Sequence, residues 1–389
     1  MKVAILTTDS REHYKEYEKR EPFFGAAPEA LLQGFAQLPE LEVHVVSCAK
    51  APMNSSEKLA PNIFFHGLHV PKIGWMRTGY QGCIRATRKK LKEIQPDIVH
   101  GQGTEMDCAI SAVFSGFPNV VTIHGNMAAL ARQFRERVGS FVWLAGKLET
   151  FTLKRTDGVL CNSAHTEQLV RPRARRTWRV PNALREIFFA PPPRPGRAGR
   201  CTLVNVGVIS AGKRQLELLE VVRELRQQGL DFEFQFAGHA RAGSGYVSAF
   251  LECIQPLERE GVARCIGLRT GSELVQLFDQ SAGMVHFSPA ESFGLAVAEG
   301  LARDLTLFAA RVGGVPDITA GVPGAQLFDV DDWRGLTSAL AGWIRSGYPR
   351  VRGAAEFMRV RYHPETIARR HVEIYQEVLG SVSRKRMSG

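Results

Sequence analysis

The stretch AGMVHFSPAESFGLAVAEGLA, residues 282–302, changes from one type of secondary structure to another. MVHFS is mostly apolar and predicts a strand, which the following proline ends because it cannot donate a backbone hydrogen bond. LAVAEGLA has the period and composition of a helix, which we expect to begin near Phe293 or Gly294. Glu291 lies in the turn, and Glu299 lies about one turn into the helix. The stretch therefore predicts a strand–turn–helix unit.

The same alternation runs along the whole chain. The predicted strands before residue 188 are KVAILTT, EVHVVSC, DIVHG, NVVTIHG and DGVLCNS, and those after residue 200 are CTLVNVGVI, FEFQFAG, ARCIGL, AGMVHFSP, LTLFAA and AQLFDV. Near-continuous apolar strands separated by amphipathic helices indicate parallel sheets that helices cover on both faces. The sequence therefore predicts an α/β fold with two Rossmann-like, doubly wound domains facing a central cleft, where such folds bind ligands.

The domain boundaries follow from length and composition. A chain of 389 residues is too long for one ordinary core. FFAPPPRPGRAGR, residues 188–200, is rich in proline and glycine and predicts a linker. We expect a first domain at 1–184 and a second domain at 185–363. A long amphipathic helix begins at residue 364, and we expect the segment 364–389 to cross back to the first domain.

Composition limits the classes of partner. The formal charge of +11 favours acidic partners, either phosphorylated substrates or anionic lipid surfaces. No zinc-finger spacing, basic–aromatic RNA signature or recognition-helix pattern is present, so we expect no nucleic-acid partner. The seven cysteines form no C-x-x-C pair, and the opening MKVAILTTDS reads as a strand rather than a secretory leader. We therefore expect a cytoplasmic protein with reduced thiols.

The spacing of Glu291 and Glu299 suggests a ligand. The free N–H groups at a helix start bind anions, so a diphosphate would lie at Gly294 and Leu295. Carboxylates accept hydrogen bonds from vicinal hydroxyls, and one on each side of a diphosphate suits a sugar and a ribose. A metal site and a solvated helix are the alternatives. The apolar neighbours of Glu299 argue against a solvated position.

These residues resemble a known family. ESFGLAVAE resembles the E-x7-E signature of glycosyltransferase family 4, whose members are retaining enzymes of the GT-B fold. Four other segments and the last helix also resemble family elements in the expected order: VTIHG, VPNAL (180–184), NVGVISAGKRQLELLEVVREL (205–225) and RVGGVPDI (311–318). The resemblance covers nearly the whole chain. It implies transfer of a hexose from a nucleoside-diphosphate sugar to a hydroxyl acceptor.

The resemblance also implies roles for single residues. Glu291, His124 and Lys213 would be catalytic: Glu291 faces the transferred sugar, His124 reaches the reaction centre, and Lys213 neutralises the departing β-phosphate. The implied donor site comprises Lys213, Arg214, Glu291, Ser292, Phe293, Gly294, Leu295 and Glu299, with the ribose on Glu299. Gly25 and Ala26 would form a loop of the first domain over the phosphates or the acceptor.

Two positions depart from the family pattern. Val208 stands where the family usually has an arginine, so one of two expected diphosphate cations is missing, and Arg214 is the candidate substitute. Ala26 stands where the family has the second glycine of the first-domain loop. Weak donor binding or an altered donor would follow from Val208. Two alternatives stay open: a nucleotide-sugar-binding protein with little catalysis, which Val208 suggests, and, as another enzyme class, a GT-B-fold UDP-sugar epimerase.

The implied mechanism needs no cofactor beyond the nucleotide sugar as co-substrate, and no metal. It is front-face attack, in which the leaving phosphate oxygen helps to remove the acceptor proton. A Glu291 nucleophile in a double displacement is the competing mechanism.

Three basic or acidic segments have two interpretations each. Residues 130–155 mix basic and apolar side chains and predict a helix pair on the first sheet, or else a surface for the acceptor or a membrane. A lipid-linked or polysaccharide intermediate would be such an acceptor, with peripheral contact at the inner face of the membrane. RPRARRTWR, residues 171–179, predicts a solvated basic loop or an attraction for an anionic lipid phosphate. FDVDDW, residues 328–333, contains D-x-D, which we interpret as a helix cap rather than a metal site.

Overall fold

The computed structural model describes residues 1–133, 135–191 and 199–387, with side chains described as far as residue 382. The chain divides into two compact units. The first contains residues 1–185 and the carboxyl-terminal segment from Tyr362, and the second runs from Glu186 to Arg361. Most of the predicted linker at 188–200 lies outside the described residues, as does Phe134.

The first unit is built on an eight-stranded sheet. Its strands are β1 (Lys2–Leu6), β2 (Glu42–Ala49), β3 (Lys58–Ala60), β4 (Ile63–His69), β5 (Ile98–Gln102), β6 (Asn119–Ile123), β7 (Gly158–Cys161) and β8 (Thr177–Arg179). They are arranged in the order β3-β4-β2-β1-β5-β6-β7-β8, and the pairs are parallel except for β3 with β4. The strand order therefore reverses between β1 and β5, which is where doubly wound sheets bind ligands.

Seven helices of the first unit precede residue 185 among the described residues. They are α1 (Ser10–Tyr14), α2 (Ala26–Ala36), α3 (Gln81–Ile94), α4 (Cys108–Val113), α5 (Met127–Gln133), α6 (Phe141–Leu153) and α7 (Ala164–Val170). Short 3-10 turns occur at Lys72–Gly74, Met76–Thr78 and Arg171–Arg173, with another at Glu186–Phe189 in the second unit. The helix pair predicted within 130–155 is confirmed, because α5 and α6 pack against each other.

The second unit is built on a six-stranded parallel sheet. Its strands are β9 (Cys201–Val206), β10 (Phe232–Ala237), β11 (Ala263–Gly267), β12 (Gly283–His286), β13 (Thr306–Ala310) and β14 (Ala325–Phe328). They are arranged in the order β11-β10-β9-β12-β13-β14. The strand order reverses between β9 and β12, so the carboxyl ends of these two neighbouring strands form the expected ligand edge.

The helices that cover this sheet alternate with its strands. They are α8 (Gln215–Gln227), α9 (Gly245–Arg259), α10 (Gly271–Gln280), α11 (Leu295–Leu301), α12 (Val315–Thr319), α13 (Trp333–Arg345) and α14 (Ala354–Tyr362). Asp332 precedes α13, and its side chain accepts a hydrogen bond from the Gly335 N–H at 2.9 Å. This confirms the capping interpretation for the acidic segment before α13.

The last helix, α15 (Pro364–Met387), belongs to the first unit. It packs against α2, and a Cβ at Gly34 of α2 would overlap the carbonyl oxygen of Pro364. Tyr375 is fully buried in the same core as Phe35. The amphipathic pattern of this helix therefore reflects packing on the first sheet.

The structure adds three strands to those predicted. β3 and β8 have three residues each, too few for a period-2 pattern to be recognised. β4 reads IFFHGLH, and its histidines and glycine interrupt the apolar run. No described helix is both long enough and apolar enough to cross a membrane.

Candidate functional site

The connection between β12 and α11 holds the two glutamates of the opening stretch. The helix begins at Leu295, one residue later than the latest start we expected, and Gly294 is its N-cap. Gly294 has φ +102°, a conformation that glycine adopts without the clash of a Cβ. Gly294 therefore marks the change from the turn to α11. Phe293, the residue before it, is buried in the core.

The turn that follows β13 packs against this connection. Gly313 has φ +54°, and a Cβ there would overlap the carbonyl oxygen of Glu291. A Cβ at Gly314 would lie 2.7 Å from the carbonyl oxygen of Phe293. Both contacts are backbone against backbone, which only glycine permits at this distance. The segment GGVP after β13 therefore fixes the main chain that carries Glu291.

The Glu291 carboxylate receives two donors on one oxygen. Lys213 Nζ donates to Glu291 Oε1, and His286 Nε2 lies 2.8 Å from the same oxygen. Lys213 follows β9, His286 ends β12, and Glu291 follows β12. Because β9 and β12 are neighbouring parallel strands, the fold brings the two loops together at the reversal point. The structure thus places two of the predicted catalytic residues in direct contact.

The environment determines the ionisation of Glu291. Its side chain is only 13% exposed. Burial raises the pKa of the carboxyl, but the charge and hydrogen bond of His286, followed by those of Lys213, lower that pKa to about 2. Glu291 is therefore a carboxylate at neutral pH.

The loop that carries Lys213 is held by buried glutamine. Gln215 is fully buried; its Nε2 donates to the Val208 carbonyl at 3.1 Å, and its Oε1 accepts from the Ser210 N–H at 3.1 Å. Val208 itself is 54% exposed. The side chain at this position, where the family usually has an arginine, therefore does not pack in the core.

Arg214 does not join Lys213 at Glu291. Its guanidinium donates to the Val330 carbonyl at 2.8 Å and pairs with Asp331 at 3.0 Å. It also lies 5.8 Å from the centre of the Trp333 ring. The geometry therefore gives no support to Arg214 as the second diphosphate cation.

Glu299 lies on the inner side of α11 and is 5% exposed. A merely solvated Glu299 is thus excluded. Its assignment to a ribose stays a prediction. Ser292 and Leu295, which we also predicted to bind the donor, are half-buried beside the turn.

His124, the predicted catalytic residue of the first unit, follows β6. Its Nε2 lies 2.8 Å from Gln102 Oε1, and burial lowers its pKa to about 4. The Gln102 amide nitrogen lies 3.1 Å from His100 Nε2. His100 Nδ1 lies 2.6 Å from the hydroxyl of Tyr375 on α15. A buried polar chain therefore extends from the carboxyl-terminal helix to His124, and His100 belongs to it.

Gly25 and Ala26 lie at the start of α2. Gly25 is the N-cap with φ −58°, and within the described residues a Cβ there would have only Pro28 Cδ within 4 Å, at 3.9 Å. Ala26 is the first helical residue. A side chain at position 25 would therefore fit, and no close contact with a neighbouring described residue requires glycine there.

Sequence reasoning missed His286 and Gln102. Each is the polar last residue of a buried strand that ends beside a predicted site. That combination is the signal that could have identified them, because a buried polar side chain needs a partner.

The sequence matches two family models. Residues 29–185 match the model of glycosyltransferase family 4, and residues 200–346 match the model of glycosyl transferases group 1. The two matched regions together span most of the chain. The chain belongs to the family 4 glycosyltransferases. The family resemblance stated from the sequence is confirmed, and so is the transferase class.

Solved structures share the fold of this glycosyltransferase. Sucrose-phosphate synthase from Thermosynechococcus elongatus has a TM-score of 0.76 at 14% identity, covering 98% of this chain and 100% of that chain. HepE from Anabaena in complex with UDP-glucose has a TM-score of 0.70 at 16% identity, covering 99% and 100%. The lipopolysaccharide outer core galactosyltransferase WaaB in its apo form has a TM-score of 0.66 at 14% identity, covering 97% and 100%.

These likenesses confirm the predicted fold class, with two α/β domains, parallel sheets and the GT-B type. No curated protein matches the glycosyltransferase sequence significantly.

One buried group of the glycosyltransferase has the side chains of a metal site. Cys48, Cys83 and Asp107 place one potential ligand atom each within 4.8 Å of one another, the single such group among the described residues. The hydrogen bond with Cys83 and burial raise the pKa of the Cys48 thiol, and burial raises that of Asp107 to about 6. Both shifts favour protonated ligands, which compete with a metal ion. All seven cysteines are free thiols, as expected.

Proposed function

We propose that this glycosyltransferase is a retaining enzyme that moves a hexose from a nucleoside-diphosphate sugar to a hydroxyl acceptor. The observation that carries the proposal is the Lys213–Glu291 contact at the reversal point of the second sheet. A cation beside a carboxylate suits a ligand that has a diphosphate and a hydroxyl-bearing sugar. The likeness to HepE, whose structure holds UDP-glucose, makes UDP-sugars the first donors to test.

The donor roles follow from the two side chains. Glu291 is ionised and accepts hydrogen bonds from the sugar hydroxyls. Lys213 is 29% exposed, so it can reach a diphosphate from its loop. The proposal keeps the backbone of Phe293–Leu295 for the diphosphate and Glu299 for the ribose, as the family resemblance implies. His124, which is neutral at pH 7, is assigned to the donor sugar at the reaction centre.

Front-face attack is the proposed route to retention. The competing mechanism uses Glu291 as the nucleophile. A pKa of about 2 makes the Glu291 carboxylate a weak base. This supports the leaving phosphate as the group that takes the acceptor proton. Lys213 then stabilises the departing phosphate, and the chemistry requires no metal.

A nucleotide-sugar binder with little catalysis is the second candidate. Val208 replaces the expected arginine, and Arg214 is engaged with Asp331. Lys213 is therefore the cation that this loop brings to the site among the described residues. A binder predicts nucleotide affinity without sugar transfer, whereas an epimerase predicts release of UDP without a glycosylated product.

A thermal-shift screen with UDP, GDP, ADP and their sugars tests the donor site. A ligand at 100 times its dissociation constant stabilises the folded protein by about 2.7 kcal/mol. We expect at least one nucleotide to raise the melting temperature. The absence of any shift would contradict the donor-site assignment.

Two variants then separate the candidate functions. Glu299→Ala should weaken nucleotide binding, and Glu291→Ala should mainly depress sugar transfer. Glu224→Ala, on an exposed position of α8, is the matched control. Proton NMR of the product distinguishes a retained from an inverted anomeric configuration.

The acceptor side of the proposal rests on a surface of α6. Phe141, Leu144 and Phe151 lie on this helix with exposed side chains, and Val138 before it is 81% exposed. Six exposed cations lie within the same stretch of sequence: Arg132, Arg135, Arg137, Lys147, Lys154 and Arg155. Apolar side chains within a basic surface suit an anionic phospholipid layer. We therefore infer peripheral contact with such a membrane, where a lipid-linked acceptor would be presented.

Vesicle sedimentation tests this surface. Wild-type protein should sediment with phosphatidylglycerol vesicles and much less with phosphatidylcholine vesicles. Phe141→Ser should lower the bound fraction, whereas Phe357→Ser, at an exposed position of the second unit, should not. Equal binding of all three proteins would contradict the assignment of the surface.

A further inference from the structure

His286 has one polar contact through its side chain. Its Nε2 lies 2.8 Å from Glu291 Oε1, and no other described residue hydrogen-bonds the ring. Its Nδ1 is buried without a partner. The residue itself is 2% exposed. A carboxylate only accepts, so Nε2 must carry the proton that it donates.

The two donors to Glu291 differ in mobility. Lys213 ends in a flexible chain that extends past Gly207, where a Cβ would lie 3.4 Å from Lys213 Cγ. Its ammonium can therefore move between two acceptors. His286 belongs to β12, and its ring is enclosed by the core, so its N–H has a fixed direction. The hydrogen bond from His286 to Glu291 can therefore persist when the Lys213 ammonium turns to another acceptor.

Both donors meet the same oxygen. Glu291 Oε2 receives no hydrogen bond from the described residues. An ionised carboxylate with one oxygen held and the other free presents that free oxygen in a defined direction.

We propose that His286 is a positioning residue, which keeps Glu291 aimed at the donor sugar when Lys213 transfers its hydrogen bond to the diphosphate. This inference rests on the proposed function, because it takes Glu291 as the group that contacts the sugar. It adds a residue that the E-x7-E stretch does not contain. Without His286, arrival of the diphosphate would remove the only other donor from Glu291 Oε1.

A ligand-free test imitates the departure of Lys213. Crystal structures are determined for Lys213→Ala and for the double variants Lys213→Ala/His286→Leu and Lys213→Ala/His286→Gln. We expect Glu291 Oε1 to stay within hydrogen-bond distance of His286 in Lys213→Ala. It should leave that position in the leucine variant and return to an amide donor in the glutamine variant, because glutamine Nε2 can also donate.

A binding test separates positioning from folding. Calorimetry gives the affinities of His286→Leu and His286→Gln for UDP and for UDP-glucose, with His165→Gln at an exposed position as the control. His286→Leu should bind UDP within about twofold of wild type and lose about tenfold of the preference for UDP-glucose over UDP. His286→Gln should recover most of that preference. A general loss of structure would lower both affinities together.

The outcomes of the two tests are distinct. If Glu291 moves away from His286 in the single variant Lys213→Ala, the proposed role of His286 is wrong. This outcome can be observed even if the leucine variants do not fold. An unchanged UDP-glucose preference in folded His286→Leu would overturn that role as well. If wild-type protein binds neither nucleotide but the crystal structures behave as expected, the positioning stands and the proposed use of UDP-glucose as donor fails.

Discussion

Lys213 and Glu291 follow two neighbouring strands, β9 and β12, and meet in a salt bridge where the strand order of the second sheet reverses. They are separated by 78 positions in the sequence. Their contact depends on the parallel pairing of the two strands, which places both following loops at one edge. A cation and a buried carboxylate at such an edge form the centre of the proposed donor site.

Removal of the Lys213 ammonium should weaken nucleotide binding. For Lys213→Ala we expect the affinity for UDP, measured by calorimetry, to fall about tenfold to a hundredfold, because hydrogen bonds to charged groups contribute about 1.5–3 kcal/mol. Lys89→Ala, at an exposed position of α3, is the control and should bind as wild type does. Unchanged affinity in Lys213→Ala would remove lysine from the diphosphate site.

Gly313→Ala should displace the loop that carries Glu291. The new Cβ would overlap the Glu291 carbonyl oxygen, and φ +54° is itself unfavourable for alanine. We expect a loss of about 2–4 kcal/mol in the free energy of unfolding, measured with urea. Gly321→Ala has a similar φ, +72°, but open space around the Cβ, and should cost about 1–2 kcal/mol. Equal losses would show that the close backbone packing contributes nothing.

Glu291 should stabilise the protein in a pH-dependent way. Its folded-state pKa is about 2, below the ordinary value of 4.5, so its contribution is complete above pH 4.5 and disappears as the pH falls towards 2. The unfolding free energies of wild type and Glu291→Gln should therefore differ most near pH 7 and converge below pH 4. A gap that is constant from pH 7 to pH 3 would contradict the lowered pKa.

Much of this site could be predicted from the sequence, and the limits have physical causes. The strand–helix alternation and the position of Glu291 in a turn follow from local patterns, whereas Lys213 and His124 were predicted from the family resemblance. The contact between Glu291 and Lys213 does not follow from local patterns, because it depends on which strands pair. His286 was missed because a histidine in a four-residue apolar strand looks like a packing residue until its ring is seen against the carboxylate. Arg214 was predicted as a substitute diphosphate cation because it follows Lys213 directly. In the structure its backbone is left-handed, with φ 54°, and its side chain pairs with Asp331 instead.

Gln102→Glu should raise the pKa of His124. Burial holds the pKa of His124 at about 4, with the neutral Gln102 amide 2.8 Å from Nε2. A carboxylate at that distance favours the imidazolium, so the pKa should rise by at least one unit. Proton–nitrogen NMR of the histidine rings measures it.

Gln102→Leu is the control for that titration, since it removes the amide without adding charge. The pKa of His124 should stay low in this variant. A His124 pKa that is the same in the glutamate and leucine variants would show that residue 102 does not contact the imidazole.

The central claim is that the Lys213–Glu291 edge of the second unit binds the donor. A crystal structure with UDP, or with the nucleotide that the thermal-shift screen selects, tests it most directly. We predict diphosphate oxygens within hydrogen-bond distance of Lys213 Nζ, beside the Gly294 turn, with Glu291 still held by His286. A diphosphate bound elsewhere, with Lys213 still paired to Glu291, would contradict the account.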